Sequence, residues 1–236
     1  MARQSYFITG TDTDSGKTAI AGGLLCLAAR NGLKTLAMKP LASGCEQTEQ
    51  GLRNPDALHL QSAITESLDY DAVNPVALKP SIAPHVAAAG TGRKLAAAQL
   101  AGFCRGIMTR PSDLLLIEGA GGWRVPLNDR ETWSDLVREL RISVILVVGL
   151  KLGCINHALL TAEMVRLDGL QLAGWIANSC TAVPMEREEE TFADLCQRIE
   201  APCMGRVPWL GHSDAFPSTE SVARYLSLPL YTAGSV

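Results

Sequence analysis

Continuous apolar runs, not the alternation of a half-exposed sheet, mark most of the strands this chain predicts. Ser143-Val144-Ile145-Leu146-Val147-Val148 is β-branched almost throughout and Asp113-Leu114-Leu115-Leu116-Ile117 is leucine-rich, the pattern of strands covered on both faces. Tyr6-Phe7-Ile8, Lys34-Thr35-Leu36-Ala37-Met38, Leu172-Ala173-Gly174-Trp175-Ile176-Ala177 and Cys203-Met204-Gly205-Arg206-Val207 are shorter versions. Between them the apolar spacing becomes helical over residues 19–30, 94–108, 133–140, 185–199 and weakly 219–226, and in a segment that runs from the glycine at 153 to Arg166. Pro55 near a first turn opens one more helix. Strands alternating with helices predict a doubly wound α/β domain, its mainly parallel sheet flanked by helices, as a single domain over residues 1–236. Ligands of such a sheet bind at the carboxyl edge of its strands. Residues 45–54, which are polar, and 74–92, rich in Pro, Ala and Gly, are expected to be irregular.

Composition narrows the classes of function. The 236 residues, 47% hydrophobic, suffice for a substantial core. A net charge of −3 gives no electrostatic reason to expect nucleic acid, and no apolar run approaches the ~20 residues of a membrane helix. Met1-Ala2-Arg3-Gln4-Ser5 enters the first strand without the apolar run of a signal peptide. Seven cysteines, at 26, 45, 104, 154, 180, 196 and 203, contain no C-x-x-C pair and predict free thiols in a reducing cytoplasm. The four histidines lack metal-ligand spacing.

The chemistry-bearing stretch is Phe7-Ile8-Thr9-Gly10-Thr11-Asp12-Thr13-Asp14-Ser15-Gly16-Lys17-Thr18, an apolar strand running into a Gly-rich turn before a helix. It predicts a phosphate-binding loop in which backbone N–H groups wrap phosphate oxygens, Lys17 sits on the β- and γ-phosphates and Thr18 offers its hydroxyl to Mg²⁺. Its spacing is a variant, with one more residue between Gly10 and Gly16 than the general pattern has. Lys39, at the carboxyl end of the second strand, is a candidate second cation for a transferring phosphoryl group. Glu118 ends an apolar strand where P-loop proteins carry a metal-holding acid, usually Asp, and Gly119-Ala120-Gly121-Gly122 follow it. Asp56 reads equally as a helix-start carboxylate or as a second acid near the metal. The start near Gly153-Cys154-Ile155-Asn156 either offers free N–H groups to a carboxylate or is a plain turn with Asn156 as cap. Asn178 is followed three positions on by Thr181, where a guanine reader carries Asp, so adenine is expected.

Together these motifs resemble the dethiobiotin synthetase family, the ATP-dependent carboxylases of biotin synthesis. The carriers are Gly10-Thr11-Asp12-Thr13 with Gly16-Lys17-Thr18, Lys39-Pro40 with Ser43-Gly44, Gly51-Leu52-Arg53-Asn54, Asp56-Ala57-Leu58, Val73-Asn74-Pro75, Pro84-His85, Glu118 to Trp123, Lys151 to Ala158, Ala173-Gly174-Trp175 with Asn178, and Pro208-Trp209-Leu210. The resemblance implies a homodimer that joins CO₂ to 7,8-diaminononanoate using ATP and Mg²⁺. It also implies Lys39, Lys17 and Thr11 as catalytic residues and Thr18, Asp56 and Glu118 as metal ligands. Asp14, Ser15, Gly16, Ala19, Gly119, Ala120, Gly121, Ser179 and Pro208 to Leu210 would join Lys17, Thr18, Asp56, Glu118 and Asn178 around ATP. Thr11 and Ser43 would hold the carbamate end of the substrate, and Gly153, Cys154, Ile155 and Asn156 of the partner subunit its carboxylate. The chain departs from the family at Asp14, commonly Glu, at Ser179, which can be Asp, and at His212, Ser213 and Asp214, where an acid can contact the nucleotide. A partitioning ATPase of the same superfamily would add a lysine early in the loop, and Thr11-Asp12-Thr13 has none.

Overall fold

The continuous apolar runs form the centre of one sheet in the computed structural model, which describes residues 3–211 and 216–228. His212, Ser213 and Asp214 therefore lie outside the described residues. Along the chain come β1 (Gln4–Gly10), α1 (Lys17–Arg30), β2 (Thr35–Met38), β3 (Leu41–Ala42), β4 (Glu46–Thr48), β5 (Gly51–Arg53), α2 (Pro55–Ala63), α3 (Tyr70–Val73) and β6 (Val76–Ala77). They continue with α4 (Pro84–Ala89), α5 (Ala97–Met108), β7 (Leu114–Gly122), α6 (Trp133–Leu140), β8 (Ser143–Leu150), α7 (Cys154–Leu167), β9 (Leu172–Ser179), α8 (Glu188–Arg198), β10 (Cys203–Val207) and α9 (Thr219–Ala223). The six-stranded sheet has the order β10-β9-β8-β1-β7-β2, with every pairing parallel. Alternate residues of one strand feed opposite cores: Phe7 packs with Leu100 and Trp133 on one face, Tyr6 and Ile8 with Leu24 and Ile145 on the other. Both faces are covered, which is why these strands read as unbroken apolar runs.

Three expectations need correction. Residues 45–54 are not an irregular loop: β4 and β5 form an antiparallel hairpin, whose turn is closed by Thr48, its hydroxyl accepting from the Gln50 N–H (3.2 Å) and donating to the Gly51 carbonyl (2.8 Å). Side-chain to backbone bonds of this kind carry no apolar period and leave no hydrophobic signature. Within 74–92, β6 pairs with β3 and Pro84 starts α4. Strand β7 does not end at Glu118 but runs to Gly122, and its ladder with β1 resumes at Gly10 opposite Gly122 after an irregularity beyond Ile8. Gly119 permits this passage, because a Cβ there would collide with the ring of Phe7. Boundaries elsewhere differ by a few residues, as when α5 starts at Ala97 and α8 at Glu188.

Beneath the end of β7 an aromatic group fixes the backbone that carries Glu118. The Trp133 indole donates to the Ala120 carbonyl at 2.9 Å, Phe7 lies 5.7 Å from Trp133 between ring centroids, and Trp123 meets Phe7 edge-on at 6.1 Å. Trp133 is fully buried. Truncating it would leave a large void and an unpaired carbonyl, so Trp133→Ala is expected to lower unfolding free energy by about 3–5 kcal/mol, read from the denaturant midpoint at constant slope. Trp133→Phe, which keeps most of the ring volume, is expected to lose less.

Candidate active site

The loop between β1 and α1 is tied to its neighbours on two sides. Thr11 donates its N–H to the Val147 carbonyl (3.0 Å) and its hydroxyl accepts from the Gly149 N–H (3.3 Å), anchoring the loop to β8. On the other side Asn178 Nδ2 donates to the Ser15 carbonyl at 3.0 Å. Gly16 stands between them at φ 91°, a left-handed conformation, and any Cβ there would collide with the Asn178 amide. That is a double reason for glycine. Asp14 also adopts φ 58°, a conformation tolerated by short polar side chains.

Four polar side chains converge at the start of α1. Lys39 Nζ lies 2.6 Å from Glu118 Oε1 and 2.9 Å from Asp56 Oδ2, and the Thr18 hydroxyl donates to the same Glu118 Oε1 at 2.8 Å. Lys39 and Glu118 are almost wholly buried, 3% and 1% exposed. Burial alone would strip the Lys39 proton, but the two carboxylates outweigh it and hold the ammonium charged. Asp56 lies below the usual carboxylate range although its burial pushes the other way, because Lys39 sits against it. Asp56 occupies the first turn of α2, capped by Asn54, and its carboxylate also reaches the cluster. Lys17 is buried beside them and donates to the Asp12 carbonyl at 2.9 Å.

This cluster forms one end of a cleft of about 920 Å³, within the size of small-molecule sites. Asp14, Gly16, Lys17, Thr18, Ala19, Lys39, Ser43, Asp56, Glu118, Ala120 and Gly121 line it, together with Asn178, Ser179, Pro208, Trp209 and Leu210. Thr11 and Ser15 of the loop, Gly119, and Gly153, Cys154, Ile155 and Asn156 are not on the cleft wall. Gly153, not Asn156, is the helix cap. Wall residues that went without a role in the sequence include residues 81–84, Val125, Cys180 and Phe216. The Pro84-His85 motif was the available signal for the first. An ion pair of Asp12 with Lys151 (2.7 Å) ties the loop to the turn before α7, and it too was visible only as motif letters.

The oxygens fit a magnesium ion shared with phosphate. Among the described residues, Glu118 Oε2 is buried without a hydrogen-bond partner, a costly state unless something binds there. Thr18 and Asp56 add hard oxygen donors. Mg²⁺ takes one or two protein carboxylates and completes its shell with phosphate and water, and among the described residues no three acids, histidines or cysteines form a cage without them.

Comparisons with known proteins give the family. A family model described as an AAA domain matches residues 4–216. The ATP-dependent dethiobiotin synthetase BioD of Marinobacter nauticus is 54% identical over 228 residues, 97% of each chain. That of Cellvibrio japonicus is 57% identical over 215 residues, 91% of this chain and 93% of its own. The BioD 1 enzyme of Escherichia coli is 44% identical over 225 residues, 95% and 98% of the two chains. The chain belongs to the dethiobiotin synthetase family. Solved structures share the fold alone: a ParA family ATPase from Chlorobium tepidum (TM-score 0.53, 13% identity, 95% of this chain and 91% of that) and a chain of the Aquifex aeolicus MinC:MinD complex (TM-score 0.54, 16% identity, 87% and 81%).

In this dethiobiotin synthetase family member the phosphate-loop lysine is stored at a cost. Burial first, and then the nearby Lys39 charge, pull the Lys17 pKa down from 10.5 to about 8. The folded state therefore holds fewer protons than the unfolded chain between about pH 8 and 10.5, so this group's penalty is full below pH 8 and is relieved as pH rises through that window. Lys17→Met is expected to raise the nucleotide-free denaturation midpoint at pH 7 while abolishing ATP binding. The stability gain should shrink steadily between pH 8 and 10.5 and be checked by urea titration at each pH.

Proposed function

We propose that the chain is an ATP-dependent dethiobiotin synthetase, joining CO₂ to 7,8-diaminononanoate with ATP and Mg²⁺ and releasing dethiobiotin, ADP and phosphate. The observation that carries this reading is a charged lysine, Lys39, held between Glu118 and Asp56 beside Thr18 and Lys17. A phosphate loop needs one cation. A second one fixed across the cleft suits a reaction in which another anion must approach the γ-phosphate.

A carbamate is such an anion. One substrate amine attacks CO₂ and loses a proton, giving the carbamate. Its oxygen attacks the γ-phosphorus and ADP departs, leaving a carbamic–phosphoric anhydride. The neighbouring amine then attacks the carbonyl carbon, phosphate leaves, and the ureido ring closes. Such chemistry asks for positioning and charge neutralisation more than for proton relay. Lys17 and the loop N–H groups would hold the phosphates, Lys39 and Ser43 the carbamate end, and Asn178, Ser179 and Pro208 to Leu210 the adenosine side. Magnesium, held by Thr18, Asp56 and Glu118, would supply charge neutralisation on the phosphate oxygens.

The helix start from Gly153 to Asn156 does not line the cleft of its own chain, and Leu152 just before it is 92% exposed. We assign it to the substrate carboxylate in the cleft of a second copy, which makes the active form a homodimer of one-domain subunits. No helix among the described residues is long and apolar enough to cross a membrane, and all seven cysteines are free. Both facts support the cytoplasm as its location.

The test is phosphate release from Mg-ATP by purified protein, in CO₂-depleted and bicarbonate-supplied buffer, with and without the diamine, on material whose mass is measured by sedimentation. Release requiring both co-substrates, matched by dethiobiotin, from a dimer is expected. Lys39→Ala is expected to lower kcat by at least about 100-fold with ATP affinity changed far less. Release indifferent to diamine and CO₂ would sink the reading.

A further inference from the structure

Arg53-Asn54 and Val73-Asn74-Pro75 have no part in the chemistry above, yet they meet at one buried phenol. The Tyr70 hydroxyl accepts from the Asn54 N–H at 2.7 Å and donates to Asn74 Oδ1 at 3.1 Å. Each asparagine then grips a segment of the active site. Asn74 Nδ2 donates to the Lys39 carbonyl at 2.7 Å, while the Lys39 N–H donates to the Val73 carbonyl at 2.8 Å, so the backbone of Lys39 is clamped on both sides by the end of α3. Asn54 Nδ2 donates to the Ser43 carbonyl at 3.2 Å, and Asn54 Oδ1 accepts from the Ala57 N–H at 3.2 Å, capping the helix that carries Asp56. Tyr70, Asn54 and Asn74 are all buried, and the Arg53 guanidinium covers the Tyr70 ring at 4.1 Å from its centroid.

We propose that Tyr70 is a positioning residue for the carboxylation, its hydroxyl setting the spacing between Lys39, Ser43 and Asp56 through Asn74 and Asn54. This rests on the dethiobiotin synthetase reading for its consequence, not for its geometry. Lys39 follows β2, Ser43 follows β3 and Asp56 lies in the first turn of α2, so three separate elements must keep one spacing. A misplacement of about 1 Å in a reacting constellation costs on the order of 100-fold in rate. The phosphate loop lies outside this network, so binding of metal-free nucleotide should be indifferent to it.

Tyr70→Phe keeps the ring and removes only the junction. In the folded variant, assayed well below its melting temperature, kcat for dethiobiotin is expected to fall about 10- to 100-fold with the Kd for metal-free ATP within about threefold. A role in stability alone would lower the melting temperature and leave kcat per folded molecule unchanged. The double variant Tyr70→Phe/Asn74→Ala should be slowed by less than the product of the two single effects, since the phenol acts in part through that amide; independent, multiplying effects would contradict it. A second readout does not depend on turnover: acetylation of Lys39 by acetic anhydride, followed by peptide mass spectrometry, is expected to accelerate at least about tenfold in Tyr70→Phe, with exposed Lys34 unchanged as control. Unaltered Lys39 labelling in folded Tyr70→Phe overturns the positioning role. Wild-type protein inert toward the diamine overturns the proposed reaction, and the labelling arm still decides the placement of Lys39.

Discussion

A charged lysine and a charged carboxylate buried against each other constrain everything around them. Lys39 and Glu118 come from different strands, one just past β2's carboxyl end and the other in the interior of β7. Their 2.6 Å pair sets opposite charges together where water is excluded, and removing Lys39 leaves Glu118 without its cation, whereas removing Glu118 still leaves Lys39 against Asp56. Parallel pairing of β2 with β7 sets the two backbones side by side, and Gly119 lets β7 continue past Phe7. The site thus depends on sheet register first and on loop chemistry second.

That dependence explains the distribution of apolar residues. The aromatic group of Phe7, Trp123 and Trp133 lies directly under the strand that presents Glu118 and the small residues after it. Rigid packing below and glycine-rich backbone above is an arrangement suited to preorganised charge, because donors already in place need not reorganise during reaction. Lys17 is kept at a depressed pKa by burial and by Lys39, a cost that anionic phosphate would offset on binding.

Much of this was legible in the letters. Long apolar runs identified β7, β8 and β9 because both faces of the sheet are covered, and the loop from Gly10 to Thr18 carries its chemistry in its spacing. Lys39, Glu118 and Asp56 were each plausible alone, but the sequence has no term for their mutual distance, so Asp56 stayed divided between helix dipole and metal. The β4–β5 hairpin was missed because Thr48 and Gly51 make it with backbone bonds rather than with an apolar alternation. Glu118 was placed at a strand end because the glycines after it look like a breaker. They are instead what lets β7 pass the Phe7 ring. Residues 81–84 and Phe216 became cleft walls only through tertiary contact.

The most direct test of the buried carboxylate at the centre of this account is calorimetric binding of ATP with and without Mg²⁺ to Glu118→Gln and to the parent protein. The parent should bind ATP more tightly with Mg²⁺ than without, and the variant should lose that enhancement while keeping metal-free affinity within a few-fold. Full retention of the magnesium enhancement by folded Glu118→Gln would contradict the assignment of Glu118 as the residue around which the phosphoryl-transfer site is built.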